Sequence, residues 1–246
     1  MQFWLPAMPK TLVGAGTVGK ISARVSQKGC PMPPGPPLEL NSVETNHPQA
    51  SILYGFAIPT IVRLSLDPTR LPSGTMTRCV TVEWVCRPGG GAPEVFTRDI
   101  EWAQVPQHLK DQCVKWPNTR NEEDISEDAA IGVMALLLHE LAGAVILSVL
   151  QIGSGGDYLV EIQGQPPLQA ESSGVRDDPH GYESTARLKQ KCSQVLTKSE
   201  VGFASVVAFR HPPDQGVRCQ LHYVSRTGPG SNHPKVKKRG RKKKRP

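Results

Sequence analysis

Cysteine pairs at metal-binding spacing are missing from this sequence. Cys30, Cys79, Cys86, Cys113, Cys192 and Cys219 form no CxxC and show no zinc-ligand spacing with the seven histidines. Reduced, mostly buried thiols are therefore expected. His139 and Glu140 are adjacent but lack the HExxH partner, which leaves a zinc hydrolase without a basis. Ser154 in GSGG lacks the GxSxG arrangement, so no hydrolase triad can be built around it. An uninterrupted apolar run of membrane length is missing too. Ala129 to Leu150 is strongly apolar over 22 residues, but His139 and Glu140 interrupt its middle and Gly143 breaks it. A helix followed by a buried strand explains that segment better than a span. The start, MQFWLPAMPKTLVGAG, has no basic residues leading into a sustained apolar stretch, so no signal peptide is expected. Cytoplasmic placement without membrane contact follows, or nuclear placement in a eukaryote.

Positive charge is scarce in most of the chain, although the formal net charge is +7. The last twelve residues hold nine of the 29 basic residues and no acid, which leaves 20 basic against 22 acidic residues elsewhere. Any electrostatic affinity for nucleic acid is thus expected in the tail, at Lys235, Lys237, Lys238, Arg239, Arg241, Lys242, Lys243, Lys244 and Arg245. Such a run is disordered by self-repulsion and can neutralise several phosphates without regard to base sequence. A solubilising terminus is the plainer reading, and in a eukaryote the same run resembles a nuclear import signal.

Aromatic residues make up only 5%, against 23 Pro and 23 Gly, so long irregular connections are expected, especially before residue 120. Residues 1–50 read as an irregular arm, with PMPPGPP at 31–37 unable to continue a helix or central strand. Gly14, Gly16 and Gly19 in GAGTVG match GxGxxG, but only Thr11 to Val13 precede them as a strand and the next helix would meet the proline cluster. A glycine-containing loop is the expectation there. Residues 51–106 read as a β-rich segment built from SILYGFAIPTIVRLSL, TMTRCVTVEWVC and EVFTRDIEWAQV, the last two joined by PGGGAP. In the middle strand Val80, Val82, Trp84 and Cys86 share the face that can pack a core. A protein partner is one use for this segment.

Residues 107–124 read as a polar linker, and the texture then changes. Ser126 is the expected N-cap of a helix in which Ile131, Met134, Leu138 and Leu141 recur at helical spacing up to Gly143. AVILSVLQ reads as a central strand covered on both faces. DYLVEIQ and LQAESS follow as two arms of a hairpin, Tyr182 to Leu196 as a helix with Leu188, Cys192, Val195 and Leu196 inward, and FASVVAFR and VRCQLHYV as the last strands. Residues 125–225 are therefore expected to form an α/β domain with a mixed sheet flanked by helices, and residues 226–246 a disordered basic tail.

The hairpin carries Asp157 at the start of one arm and Glu171 near the end of the other. With the element order, these acids resemble the PD-(D/E)XK, restriction-endonuclease-like superfamily over residues 125–225. More narrowly, GSGGDYLV, AESSGV and RLKQKCSQVLTKS before an apolar strand are similar to a group of uncharacterised bacterial proteins with GxGxDY and ExSG segments, which implies no established activity. The superfamily resemblance implies a restriction-endonuclease-like fold and Mg²⁺ held by Asp157, Glu171 and the Ser172 carbonyl. Hard oxygen ligands of this kind suit a cation that polarises phosphate and activates water. The lysine that such a site carries two residues after the second acid is Ser173 here. Lys189 or Lys191 of the following helix is the candidate substitute, and because they flank the buried stripe on opposite sides, at most one points to the acids. Glu127, in register with the apolar stripe of its helix, is a candidate third acid, or else simply a carboxylate at a positive helix end. Glu161, on the same strand face as Asp157, is a reserve ligand. Asp157 also reads as a turn acid bonding local backbone, and Glu171 as an exposed strand residue. Two functions are therefore expected: a Mg²⁺-dependent nuclease or degenerate relative acting on nucleic acid, or a non-catalytic interaction or nucleic-acid-binding protein that keeps the fold without the lysine.

Overall fold

Burial alternates with period two along β2 (Met76–Val85), where Val80, Val82 and Trp84 are buried while Thr81, Glu83 and Val85 face the opposite side. β3 (Glu94–Trp102) pairs antiparallel with it, burying Ile100 and Trp102 on the same face as the β2 core residues. These assignments come from a computed structural model describing residues 35–40, 42–47, 50–65, 75–85, 92–102, 107–150, 157–210 and 216–226. The GAGTVG and GSGG stretches, most of PGGGAP, Cys30, Cys86 and the basic residues from Lys235 to Arg245 lie outside the described residues.

The fold is mixed α/β, with an eight-stranded mixed sheet among the described residues. In chain order the elements are β1 (Leu38–Glu39), α1 (Ser42–Asn46), α2 (Ala50–Leu64), β2, β3, α3 (Gln107–Thr119), α4 (Glu122–Ala142), β4 (Ala144–Val149), β5 (Tyr158–Ile162), β6 (Leu168–Val175), α5 (Tyr182–Lys198), β7 (Val201–Phe209) and β8 (Val217–Ser225). The strands lie in the order β1-β3-β2-β8-β7-β6-β5-β4. β4, β5 and β6 form an antiparallel meander, and α5 then crosses over so that β7 runs parallel to β6. β8 returns antiparallel to β7 and lies parallel to β2, which joins the two halves of the chain in one sheet.

Several expectations are corrected. SILYGFAIPTIVRL is the helix α2, with Pro59 inside it. Its β-branched residues mimic a strand, but Ile58, Ile61 and Val62 fall at i, i+3 and i+4 and are buried against the core. The polar linker of 107–124 is largely the helix α3, a mainly solvated helix that buries Cys113. α4 starts at Glu122, not Ser126, because the Asn121 side chain accepts the Glu123 N–H at 3.1 Å and Glu122, Glu123 and Asp124 occupy the positive end. Ser126 lies inside the helix and donates to the Glu122 carbonyl at 2.9 Å. The arm of 1–50 contains β1 and α1. The segment 51–106 is no separate unit, since β2 and β3 extend the common sheet. AVILSVLQ supplies an edge strand and not a central one: β4 pairs with β5 alone, and the outward N–H of Ile146 is received by His47 Nδ1 at 2.9 Å. Its inward residues Ala144 and Ile146 are fully buried, whereas Val149 is exposed.

The main core lies between the sheet and the layer of α2 and α4, and a second apolar cluster lies under α5 on the other face. α4 is buried on nearly every side from Ile125 to Leu138 because it is packed against α2 and the sheet together. That position explains its long apolar stretch, and no described helix is long and apolar enough to cross a membrane. α4 ends at Gly143, whose φ of 59° is the left-handed cap conformation. Among the described cysteines, Cys79, Cys113, Cys192 and Cys219 are free.

Candidate active site

Asp157 stands immediately before β5, where its N–H donates to the Ala170 carbonyl at 3.2 Å and fixes the hairpin at its open end. Glu171, one residue further along β6, points to the α5 face and is only 4% exposed. The Ser172 N–H donates to Asp157 Oδ2 at 3.4 Å. Main-chain groups two residues apart on a strand point the same way. The Ser172 carbonyl therefore lies on the same edge of β6 as that of Ala170, beyond the last paired residue of β5.

Lys191 completes the group. Its ammonium donates to Glu171 Oε2 at 2.9 Å and to Asp157 Oδ2 at 3.2 Å, bridging the two acids. Lys189 is exposed on the outside of α5, so one of the two candidate lysines meets the acids, as their opposite flanking positions require. Exposure is one-sided, with the side chain of Asp157 43% accessible and that of Glu171 5%. Burial raises the Glu171 carboxyl above its ordinary range, and although Lys191 pulls it back, the neighbouring Asp157 charge adds to the rise. Burial alone would lower the Lys191 ammonium, but Glu171 and Asp157 outweigh it and hold its pKa above the ordinary lysine value. Two carboxylates thus share one ammonium, leaving the group one negative charge in excess when both are ionised.

The rotation of α5 that delivers Lys191 is set at the helix start. Asp178, 5% exposed, accepts the Ser184 N–H at 2.7 Å and the Glu183 N–H at 3.3 Å. Burial works against its charge, yet these donors outweigh that cost and hold its carboxyl below the ordinary range. One turn before Lys191, Arg187 Nη1 donates to Glu127 Oε1 and Ser173 Oγ, both at 3.1 Å. The Ser173 hydroxyl donates to Glu127 Oε1 at 2.9 Å and the Gly174 N–H to Glu127 Oε2 at 3.0 Å. Glu127 is therefore engaged in a neighbouring cluster that ties α4, β6 and α5 together, and the structure does not bring it into the Asp157–Glu171–Lys191 group. Glu171 and Ser173 occupy alternate positions of β6 and meet Lys191 and Arg187 respectively, which are four residues apart on α5. Gly174 is required here: a Cβ at that position would collide with the Ser126 carbonyl of α4.

Beside this second cluster lies a cleft of about 480 Å³, lined in part by Asn121, Glu123, Arg176, Asp177 and Arg187. Glu161 is half-buried on β5, and Tyr158 packs into the main core. Among the described residues, no group of three or more His, Cys, Asp or Glu side chains converges as metal ligands do.

Arg187 and Asp178 were not anticipated, although the spacing of Arg187 from Lys191 is readable in the sequence. Also unanticipated is a cluster at the β2–β8 junction, on the face opposite the main core. Glu83 accepts from Arg218 Nη2 at 2.7 Å and Gln220 Nε2 at 3.1 Å, and His222 Nε2 lies 3.2 Å from its other oxygen. Burial would raise the Glu83 carboxyl, but these three partners hold it below the ordinary range.

Against known proteins the chain matches no family model, no curated protein and no solved structure.

Proposed function

We propose that the chain is a divalent-cation-dependent nuclease of the PD-(D/E)XK type, in which Lys191 of α5 replaces the missing strand lysine. The observation that carries this reading is the Lys191 ammonium, in bonding contact with both Asp157 and Glu171. The element order supports it as well: an antiparallel meander β4-β5-β6, then a helical crossover to a parallel β7, with α4 and α5 on opposite faces. The donor set fits Mg²⁺, because two carboxylates and a strand carbonyl are hard oxygen ligands and the acids exceed the ammonium in charge.

On this reading Asp157, Glu171 and the Ser172 carbonyl hold the cation. A bound Mg²⁺ would polarise the scissile phosphate and acidify its water. As an ammonium, Lys191 would donate hydrogen bonds and offset developing negative charge. Asp157, the more open acid, faces the side from which a phosphodiester can enter. The basic residues from Lys235 to Arg245 raise the local concentration of nucleic acid.

The test is cleavage of single- and double-stranded DNA and RNA with and without Mg²⁺. Asp157→Ala, Glu171→Ala and Lys191→Ala should each abolish metal-dependent cutting while the circular dichroism spectrum stays unchanged. Cutting that survives both acid substitutions would sink the proposal. One observation favours the second reading, a non-catalytic nucleic-acid-binding protein: Lys191 already bridges both carboxylates as an ion triad. Removing residues 235–246 separates the two, since a pure tail binder loses all nucleic-acid binding whereas a nuclease retains weak metal-dependent cutting.

A further inference from the structure

We propose that Lys191 is the resident cation of the Asp157–Glu171 pair, and that a divalent ion enters only as the ammonium releases both carboxylates. This rests on the metal-site reading above and adds to it a competition between two occupants. The argument begins with the oxygens. Lys191 Nζ engages Glu171 Oε2 at 2.9 Å and Asp157 Oδ2 at 3.2 Å, and Asp157 Oδ2 also receives the Ser172 N–H at 3.4 Å. The ammonium therefore takes one oxygen of each acid, the two that converge on it.

A divalent ion bound between Asp157 and Glu171 would need those converging oxygens. An ammonium and a divalent ion bonded to the same oxygens would also repel each other strongly at such short range. Room exists for the displaced group, because the lysine stem is long and flexible and the site is open on the Asp157 side. Arg187 has no such freedom, being held by Glu127, Glu183, Ser173 and the Gly174 carbonyl. Of the two α5 cations over β6, Lys191 is thus the one that can yield. The arrangement partly compensates the buried Glu171 and the more open Asp157 until a metal arrives and frees the ammonium close to the incoming phosphate.

The probe is Mn²⁺ alone, added to the full chain. Titration calorimetry on the native protein and on Lys191→Met should show about ten- to hundredfold tighter binding in the variant, since entry there breaks no charge-assisted bonds. Lysine acylation of the native protein, followed by mass spectrometry, gives a second readout that needs no substitution. Mn²⁺ should raise the labelling rate of Lys191 several-fold and leave that of exposed Lys189 unchanged. Equal or weaker Mn²⁺ binding by Lys191→Met, or Lys191 labelling that Mn²⁺ leaves unchanged or slows, overturns the competition while leaving a metal-dependent nuclease standing. Absence of Mn²⁺ binding in both proteins, together with absence of cleavage, overturns the metal site itself.

Discussion

Lowering the pH from 7 to 4.5 should weaken the fold through one buried histidine. His47 is 2% exposed, and its Nδ1 accepts the Ile146 N–H at 2.9 Å, so the ring must be neutral at that nitrogen. Burial, assisted by His139 with ring centroids 6.0 Å apart, lowers the His47 pKa from 6.5 to about 4. Between those values the unfolded chain binds a proton that the native protein refuses. The contribution is therefore complete above the unfolded pKa and is lost as pH falls toward about 4. Each unit of difference corresponds to about 1.4 kcal/mol, so roughly 2 to 3 kcal/mol should disappear by pH 4.5. Other groups also titrate in this range, so the measured quantity is a difference. Urea denaturation of the native protein and of His47→Gln, at half-unit steps from pH 7 to 4.5, should show the native stability falling more steeply by that amount. Parallel pH profiles for the two proteins would refute the reasoning.

Gly174→Ala should destabilise the protein by about 1 to 3 kcal/mol or more, because the added Cβ meets backbone of α4 that has to shift; an unchanged melting temperature would contradict the close approach of α4 to β6. Asp178→Ala should cost about 1 kcal/mol through loss of the α5 cap, read by chemical denaturation. If α5 rotates as a result, Lys191 labelling rises in the same variant without added metal. Glu83→Ala leaves the part-buried Arg218, Gln220 and His222 without their shared acceptor and should cost about 1 to 3 kcal/mol, with Glu83→Gln milder; equal stability of all three proteins would remove Glu83 as the fastening of the two sheet halves.

Local pattern made the hairpin of β2 and β3 legible, together with the Gly143 stop, the two arms bearing Asp157 and Glu171, and the inward stripe of α5. These features depend on alternation, helical spacing and turn residues within a few positions of one another. α2 was hidden because Ile, Val and Thr favour strands locally, whereas its outcome was decided by packing on α4. α3 was hidden because a helix facing mostly water carries little apolar signal. The edge position of β4 leaves its Ile146 N–H to His47, nearly a hundred residues earlier in sequence, and the β2–β8 pairing joins segments still further apart. At the site, sequence reduced the missing lysine to Lys189 or Lys191, and the choice between them needed the helix rotation fixed by Asp178.

The β2–β8 junction also has a consequence during synthesis. Glu83 and Arg218, bonded across it, are 135 residues apart. At roughly 5 to 20 residues per second, the ribosome delivers β8 about 7 to 27 s after β2. Throughout that interval the hairpin of β2 and β3 presents an unpaired edge bordered by Val80, Val82 and Trp84, the kind of edge that recruits foreign strands. A nascent chain arrested before Val217 would carry that edge open, so slow translation through the middle of the message prolongs its exposure.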